Sequence, residues 1–325
     1  MRYRTLGDTG VRVSQLGLGT MPFGDDTDED EARVIVNACL DAGINLFDCA
    51  DVYAEGRAET ILGRLIAPVR DDVVLATKVG FPSGDGVNRR GTSAVHVRLS
   101  VEQSLARLGT DRIDLYYLHR FDHRTALGHT LRTLDALVTA GKILHIGVSN
   151  FAAWQVATAL GLSALNGLAP IVAIQPMYNL IKRQAEVELL PLAQSADLAV
   201  FPYSPLAGGL LTGKYGATPG SGEGRLITNP MYRTRYRDEA GFSAAAELAS
   251  FAAEVGCHPA TLAVAWTASH PGVTAPLIGG RTLEQVRPSL AAADFELDDE
   301  LRRRISALTP EPPPATDRSE EPVAD

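Results

Sequence analysis

The chain has few cysteines, no long apolar run and no excess of positive charge. Its 325 residues include three cysteines, Cys39, Cys49 and Cys257, and their spacing indicates neither a disulfide framework nor a zinc site. No run approaches the roughly 20 apolar residues of a membrane span, and the N-terminus lacks the apolar core of a signal peptide. The formal net charge of -9 argues against a nucleic-acid surface, because phosphate binding needs clustered positive charge. We therefore expect a soluble, cytoplasmic protein without membrane or nucleic-acid partners.

The rest of the composition is that of an ordinary globular protein, with 45% hydrophobic and 21% charged residues. This length suffices for one large core or two modest domains. The tail that begins at Pro310 is rich in proline and acidic residues, so it is predicted to be disordered. The expected organisation is one domain over residues 1–309 and a disordered tail over 310–325.

Short apolar segments alternate with amphipathic segments along most of the chain. A β-hairpin is predicted over residues 3–16, where Gly7-Asp8-Thr9-Gly10 has the composition of a turn. The predicted strands that follow are 16–20, 44–47, 73–78, 113–118, 144–148, 172–175, 198–203 and 275–278. The predicted helices are 28–42, 58–66, 93–108, 126–140, 154–162, 184–195 and 242–254.

This alternation predicts an α/β protein with a parallel sheet covered by helices. Eight repeats favour a closed (β/α)8 TIM barrel, with the N-terminal hairpin closing the bottom of the barrel. A doubly wound open sheet is the alternative, but no Gly-x-Gly-x-x-Gly follows an early strand. Residues 204–240 interrupt the alternation with a long glycine-rich connection, which is predicted to be a partly mobile lid over the barrel mouth.

Polar side chains stand where several predicted strands end, and the C-terminal strand ends of a barrel share one mouth. They are Asp48, Lys78, His119, Asn150 and Gln175. Each has a purely structural interpretation: a strand-end lysine is often solvated, a histidine is often a hydrogen-bonded core residue, and an aspartate can cap a turn. The functional interpretation is stronger for the residues together, because a barrel would place an acid, a cation and an imidazole in one cavity.

With Tyr53 in the loop after Asp48, this set suits the reduction of a carbonyl group. Hydride addition leaves negative charge on the carbonyl oxygen, so Tyr53 would donate a proton there. A nearby ammonium lowers a tyrosine pKa from its usual value of about 10, and Lys78 would be that cation. Asp48 would hold Lys78 charged, while His119 would donate a hydrogen bond to the developing oxyanion. No metal is required.

The motifs in their order resemble the aldo-keto reductase family. They are Tyr3-Arg-Thr-Leu-Gly, Leu16-Gly-Leu-Gly-Thr-Met, Asp48-x-Ala-x-x-Tyr53, Thr77-Lys78, Leu115-Tyr-Tyr-Leu-His119, Gly147-Val-Ser-Asn-Phe151 and Tyr203-Ser-Pro-Leu206. The resemblance implies an eight-stranded barrel that binds NADPH without a Rossmann domain. It places the catalytic tetrad on Asp48, Tyr53, Lys78 and His119. One departure within the motif is Cys49, where relatives often have threonine.

The resemblance also implies the coenzyme contacts. Ser149, Asn150 and Gln175 would hold the nicotinamide amide, Tyr203 would stack on its ring, and Arg281 would bind the 2'-phosphate. The full implied set is Gly19, Thr20, Met21, Asp48, Ser149, Asn150, Gln175, Tyr203, Ser204, Pro205, Leu206, Gly208, Lys214, Gly279, Arg281, Gln285 and Ser289. The chain departs from the family at Pro288-Ser289, where members commonly have Glu-Asn, so its coenzyme affinity is expected to differ.

The substrate pocket is expected to include Phe23, Phe81, Arg120, Phe121 and residues 231–236, whereas Trp154 is expected to pack on its own helix. Such an apolar rim suggests aldehydes or ketones of modest polarity, including sugars. The leading hypothesis is an NADPH-dependent carbonyl reductase. Two alternatives stay open: a slow, redox-sensing regulatory subunit similar to the β-subunits of potassium channels, and an aldolase that forms a Schiff base at Lys78.

Overall fold

Eight parallel strands form the centre of the fold in a computed structural model, which describes residues 1–215 and 224–316. The first seven strands pair with one another in chain order, and the eighth pairs with the first. Their bounds are β3 (Gly17–Gly19), β4 (Leu46–Asp48), β5 (Val74–Val79), β6 (Ile113–Leu118), β7 (Ile143–Ser149), β8 (Ile171–Gln175), β9 (Ala199–Val200) and β10 (Leu277–Ile278). All eight predicted strands are thereby confirmed, with bounds shifted by a few residues.

Backbone hydrogen bonds close these strands into a barrel. The amide of Thr274 donates to the carbonyl of Val200 over 2.9 Å, and the amide of Leu277 donates to that of Pro202 over 2.8 Å. These bonds join the segment leading into β10 to the end of β9, so the sheet has no free edge there. The (β/α)8 TIM barrel is confirmed, and the open doubly wound sheet is wrong.

The N-terminal hairpin consists of β1 (Tyr3–Thr5) and β2 (Arg12–Ser14), which pair antiparallel. Leu6 and Val13 of the hairpin are fully buried in the cluster of apolar side chains that fills the barrel interior. Asn45, just before β4, accepts a hydrogen bond from the amide of Ser14 over 2.7 Å. The predicted closure of the barrel bottom by this hairpin is therefore confirmed.

Twelve helices are present in the described residues. They are α1 (Glu29–Asp41), α2 (Arg57–Ile66), α3 (Ala94–Leu108), α4 (Leu127–Thr139), α5 (Ala153–Asn166), α6 (Leu189–Ser195), α7 (Arg225–Thr228), α8 (Pro230–Arg235), α9 (Glu239–Glu254), α10 (Pro259–Ala268), α11 (Leu283–Leu290) and α12 (Asp299–Ser306). Local signals set several ends: Asp28 accepts from the amide of Glu31 at the start of α1, and Gly109 takes φ 64° where α3 ends.

The sequence reasoning missed α10, α11 and α12. Helix α10 is buried from Ala260 to Thr267, so it has no polar face and no amphipathic period to detect. Helix α11 contains Pro288, which normally argues against a helix interior. The predicted helix 184–195 is divided into a 3-10 turn (Gln184–Glu186) and α6.

The glycine-rich connection over 204–240 is more structured than an open lid. A 3-10 segment (Ala207–Thr212), α7 and α8 lie within it, and Tyr215, Leu226 and Tyr232 are buried against the main core. Residues 216–223 of the predicted lid lie outside the described residues, as do residues 317–325 of the predicted tail. Residues 310–316 contain no helix or strand.

Taken one at a time, the helices of the described chain are too short or too polar to cross a membrane. Helices α9 and α10 together pass the length and composition test, but the break between them is bent by 101°.

Candidate active site

A cavity of about 1150 Å³ opens where the barrel strands end. Asp48, Tyr53 and His119 line it, and the fully buried ammonium of Lys78 reaches Asp48 from β5. The barrel thus brings together all four residues of the predicted catalytic tetrad.

Asp48 and Lys78 form a buried ion pair. Lys78 Nζ donates to Asp48 Oδ1 and, over 2.7 Å, to the carbonyl of Cys49, while Gln175 Nε2 donates to Asp48 Oδ2 over 2.8 Å. Burial has the largest single effect on the pKa of Lys78 and acts to lower it, but the charge and hydrogen bond of Asp48, added to the effects of Tyr53 and Cys49, together raise that pKa above its ordinary value. Lys78 therefore stays a cation, and both Asp48 oxygens are hydrogen-bonded.

Tyr53 is held by a strained turn beside this pair. Ala54 and Glu55 take φ 47° and 58°, and Gly56 takes φ 89°, where an added Cβ would lie 2.7 Å from Arg107 Cδ. Lys78 Nζ lies 5.3 Å from the centroid of the Tyr53 ring. The turn thus directs the phenol towards the ammonium rather than into solvent.

The pKa of Tyr53 differs from the sequence expectation. Burial raises it to about 12, and the charge of Lys78 acts to lower it without overcoming burial. The charge of Lys78 does act to lower the pKa of Tyr53, as predicted. The prediction of a more acidic phenol is nevertheless wrong, because the net pKa lies above the ordinary tyrosine value. At neutral pH Tyr53 keeps its proton, as a proton donor must.

His119 stands edge-on to both neighbouring rings, 6.0 Å from Tyr53 and 4.7 Å from Phe81 between centroids. Burial, together with the charges of Lys78 and Arg120, lowers the pKa of His119 to about 2. Its Nδ1 is buried and makes no hydrogen bond within the described chain. A neutral ring with its proton on Nε2 leaves that nitrogen as the donor available to the cavity.

Hydrogen bonds fix the amide groups beside the tetrad. Asn150, at φ 57°, donates from Nδ2 to the carbonyl of His119 over 2.9 Å and accepts from the Tyr203 hydroxyl over 2.7 Å. The Ser149 hydroxyl donates to the carbonyl of Gln175 over 2.9 Å. These predicted coenzyme residues therefore lie at the mouths of three consecutive strands, β7, β8 and β9, in one connected network.

Two segments bring glycines close to the cavity. Gly208 takes φ 68°, and a Cβ there would lie 2.6 Å from the ring of Tyr232. A Cβ at Gly279 would lie 2.7 Å from the carbonyl oxygen of Gly19. At both places a side chain would clash with the protein itself, so glycine is required there, and both glycines line the cavity.

Cationic side chains lie at the same end of the cavity as these glycines. Lys214 and Arg281 were predicted coenzyme residues, and both line the cavity together with Arg225. Burial and the charges of Arg281 and Arg225 lower the pKa of Lys214, so both arginines are close enough to act on this lysine. Gln285 also lines the cavity, and its Oε1 accepts from the amide of Arg281 over 3.0 Å.

Most of the other predicted coenzyme and pocket residues also reach the cavity. They are Gly19, Met21, Phe81, Arg120, Ser204, Pro205, Leu206 and Gly208, with Met231, Tyr232 and Arg235 from the predicted lid.

The structure places four predicted site residues away from the cavity. Thr20 and Phe23 are fully buried, and the Thr20 hydroxyl donates to the carbonyl of Asp48 instead. Phe121 packs edge-on against Phe151, 5.2 Å away between centroids. Ser289 lies within α11 and is fully buried, so it cannot contact a coenzyme in this arrangement. The side chain of Trp154, which was expected to be packed, is 63% exposed.

The sequence reasoning missed Arg225 as a cavity residue, as well as a buried polar cluster below Tyr53. Glu59 accepts from Arg107 Nε and from the Thr77 hydroxyl, each over 2.6 Å. Burial and the charge of Glu59 raise the pKa of Asp51 to about 7, and neither carboxyl oxygen of Asp51 has a side-chain hydrogen-bond partner in the described residues. The signal in the sequence was Asp51, an acidic residue between the apolar residues Ala50 and Val52, which could have indicated the buried polar cluster.

The sequence is similar to those of known proteins. The sequence model of the Aldo/keto reductase family matches residues 15–309. The chain is 40% identical to the "Uncharacterized oxidoreductase YrpG" of Bacillus subtilis, with 96% of this chain and 97% of that protein covered. It is 37% identical to a "Probable voltage-gated potassium channel subunit beta" of Oryza sativa, covering 96% of this chain and 94% of that protein. A protein of the same description in Arabidopsis thaliana is 36% identical, with 90% and 92% covered.

Proposed function

The chain belongs to the aldo/keto reductase family, and we propose that it is an NADPH-dependent oxidoreductase that reduces aldehydes or ketones to alcohols. One observation carries this proposal: a protonated phenol, a neutral imidazole and a buried ammonium meet at one wall of the cavity. Tyr53 supplies a proton, His119 supplies an N–H donor, and Lys78 supplies fixed positive charge.

In the proposed reaction the substrate carbonyl oxygen accepts hydrogen bonds from the Tyr53 hydroxyl and His119 Nε2. When bound, NADPH supplies a hydride with its two electrons to the carbonyl carbon and is oxidised to NADP⁺. Tyr53 gives its proton to the oxygen, which completes the alcohol, and Lys78 stabilises the phenolate that remains. Asp48 keeps Lys78 charged and in position, and Tyr53 later regains a proton from water.

The residues of the cavity fit a phosphorylated dinucleotide. Gly208 and Gly279 line the cavity without a side chain, and Lys214, Arg225 and Arg281 offer positive charge at the same end. Arginine suits a phosphate because its guanidinium can donate two parallel hydrogen bonds. We therefore propose that Arg281 selects NADPH over NADH, while Ser149, Asn150 and Gln175 hold the nicotinamide end.

The substitution Tyr53→Phe tests the proposed reaction. We expect the kcat for a generic aldehyde to fall by about 10²–10⁴-fold, because the ring remains and only the proton donor is removed. NADPH binding, followed by fluorescence titration, should change little. The matched control is Tyr3→Phe, which removes the hydroxyl of a tyrosine in the hairpin, far from the cavity. Unchanged turnover in the Tyr53 variant would contradict the proposal.

A second candidate function is a nucleotide-binding redox sensor with slow turnover. Similarity to the relatives from Oryza sativa and Arabidopsis thaliana, both described as probable potassium channel β-subunits, favours it. Single-turnover and steady-state rates separate the two functions. A sensor would transfer hydride once and then release NADP⁺ very slowly, whereas a metabolic reductase would release it on every catalytic cycle.

A Schiff-base aldolase is disfavoured by the state of Lys78. Imine formation needs a neutral amine, whereas Asp48 raises the pKa of Lys78. Borohydride should therefore fail to trap a carbonyl substrate on Lys78.

We also propose a cytoplasmic setting. Cys39, Cys49 and Cys257 are all unpaired, and the first two are buried. Free thiols of this kind suit a reducing compartment.

A further inference from the structure

The charge of the cavity is opposite to that of the whole chain. The chain carries a net charge of -9, yet the ionised side chains that line the cavity are mostly basic. The two acids are Asp48 and Glu284, and Asp48 is neutralised by Lys78. The five cations are Arg120, Lys214, Arg225, Arg235 and Arg281. A cavity with such an excess attracts anions.

These cations form two groups. Arg225 and Arg281 act electrostatically on Lys214 at the glycine-rich end, where the proposed coenzyme would place its phosphates. Arg120 follows His119 directly in the chain, and its charge acts on that imidazole. The charge of Arg235 acts on Tyr203, whose hydroxyl bonds to Asn150. Arg120 and Arg235 therefore provide positive charge near the tetrad, in addition to the three cations at the phosphate end.

Arg120 is held in place without an acidic partner. Its guanidinium carbon lies 4.5 Å from the centroid of the Phe81 ring, and the same ring stands edge-on to His119. Among the residues that the structure describes, no carboxylate lies within ion-pair distance of Arg120. Stacking on the ring fixes one face of the guanidinium and leaves its N–H groups for a ligand.

Arg235 also lines the cavity, against the Tyr232 ring whose centroid lies 5.6 Å from the guanidinium carbon of Arg225. It is half-buried at the end of α8, with its guanidinium carbon 5.4 Å from the centroid of the Tyr232 ring. It also lacks an ion-pair partner among the described residues. Like Arg120, it is an aromatic-stacked cation without a carboxylate.

We propose that the substrate is an aldehyde or ketone that carries an anionic group, a carboxylate or a phosphate, and that Arg120 binds this group. This inference rests on the proposed reductase function. A carbonyl oxygen placed between the Tyr53 hydroxyl and His119 Nε2 leaves the rest of the substrate beside Phe81, the ring on which Arg120 is stacked. Arg235 adds positive charge from α8, so the anion enters a field made by two arginines.

Matched pairs of substrates test the inference. In one arm kcat/KM with NADPH is measured for 4-carboxybenzaldehyde and for its neutral methyl ester, and in the other for glyceraldehyde 3-phosphate and glyceraldehyde. We expect at least one anionic member to exceed its neutral partner by about 10–100-fold, since hydrogen bonds to charged groups contribute about 1.5–3 kcal/mol. The arm with the larger ratio identifies carboxylate or phosphate.

The Arg120→Gln variant should reduce that ratio by about tenfold or more, mainly through a higher KM for the anionic member. Arg120→Lys should keep part of the ratio, because it keeps the charge but not the planar fork. The control is Arg124→Gln, which removes an exposed arginine that does not line the cavity and should leave the ratio unchanged.

The outcomes separate the two proposals. Reduction of neutral and anionic aldehydes at equal efficiency, or a ratio that survives Arg120→Gln, would overturn the anionic-substrate inference alone. Failure to reduce any member of either pair, despite NADPH binding, would overturn the reductase function and this inference with it.

Discussion

The two sides of the cavity are built in different ways. On one side Asp48, Lys78 and Gln175 stand on strands, are almost fully buried and are hydrogen-bonded to one another. On the other side Lys214 and Arg235 stand on segments that cross the mouth, and they are exposed or half-buried. The strand side suits chemistry, which requires fixed distances, whereas the crossing segments suit binding of charged groups that arrive from solvent.

The energetic consequences differ as well. A buried charge that loses its partner remains unsolvated, so disruption on the strand side should cost stability as well as activity. An exposed arginine that is removed leaves nothing unpaired, so disruption on the other side should change ligand binding alone. The comparison can be tested by substitutions on each side.

The largest effect is expected for Lys78→Met. Turnover should fall by about 10³-fold or more, and the free energy of unfolding by about 3–5 kcal/mol, because Asp48 is left buried without its cation. The double variant Asp48→Asn/Lys78→Met should recover most of the stability and none of the activity. Urea denaturation and steady-state kinetics measure both. Equal instability of the single and double variants would contradict the interpretation of the pair.

A smaller and more selective effect is expected for Arg281→Leu. Its KM for NADPH should rise by about 10–100-fold, because a charge-assisted contact to the 2'-phosphate is lost. The KM for NADH and the denaturation midpoint should change little. Arg287→Leu is the control, since that arginine is exposed on the same helix region and does not line the cavity. Equal losses for both coenzymes would show that Arg281 does not select between them.

A pH-dependent effect on stability is expected for Asp51→Asn. Burial raises the pKa of Asp51 to about 7, whereas the unfolded chain releases that proton near pH 4. The folded state thus holds the proton longer, so Asp51 lowers the stability of the wild type as the pH rises from about 4 to about 7.

The Asp51 variant should consequently gain stability relative to wild type by about 2 kcal/mol between pH 5 and pH 7, and no further above pH 8. Denaturant midpoints across this pH range measure the difference. If the asparagine amide fits poorly, it lowers the stability of the variant by the same amount at every pH. The change of the stability difference with pH is then unaffected. A difference that does not vary with pH would show that Asp51 is ionised in the folded protein.

The smallest effect is expected for Cys49→Ser. Cys49 contributes its backbone carbonyl to Lys78, and burial raises the pKa of its thiol. The kcat of the Cys49→Ser variant should therefore stay within about threefold of wild type, because the substitution leaves the backbone carbonyl of residue 49 in place. In native protein, iodoacetamide should label the half-buried Cys257 before Cys49. Rapid labelling of Cys49 together with loss of activity would contradict this.

The same contrast explains what the sequence could predict. Asp48, Lys78, His119 and Gln175 follow short apolar runs, and a barrel brings every strand end to one rim, so local pattern and topology were enough. Arg235 lies within residues 231–236, which were predicted to line the pocket. Arg225, which was missed, lies in a segment without hydrophobic periodicity, where position depends on the burial of Tyr215 and Tyr232 rather than on local pattern.

Burial is the other quantity that the sequence did not provide. Proximity of Lys78 to Tyr53 was inferred correctly, but desolvation decides the pKa of that phenol, and desolvation depends on the whole surrounding structure. The positions of Phe23 and Ser289 were misjudged for the same reason: each follows an apparent site motif, yet each is turned into the core.

The hairpin that fills the barrel bottom also determines how the site exchanges protons with water. Leu6 and Val13 join the apolar interior that separates the tetrad from that end of the barrel. In the proposed mechanism Tyr53 would therefore regain its proton through the mouth of the cavity. Coenzyme and substrate would fill that mouth together, so Tyr53 should be reprotonated only after the product has left. Solvent access to Tyr53 would then depend on product release in each catalytic cycle.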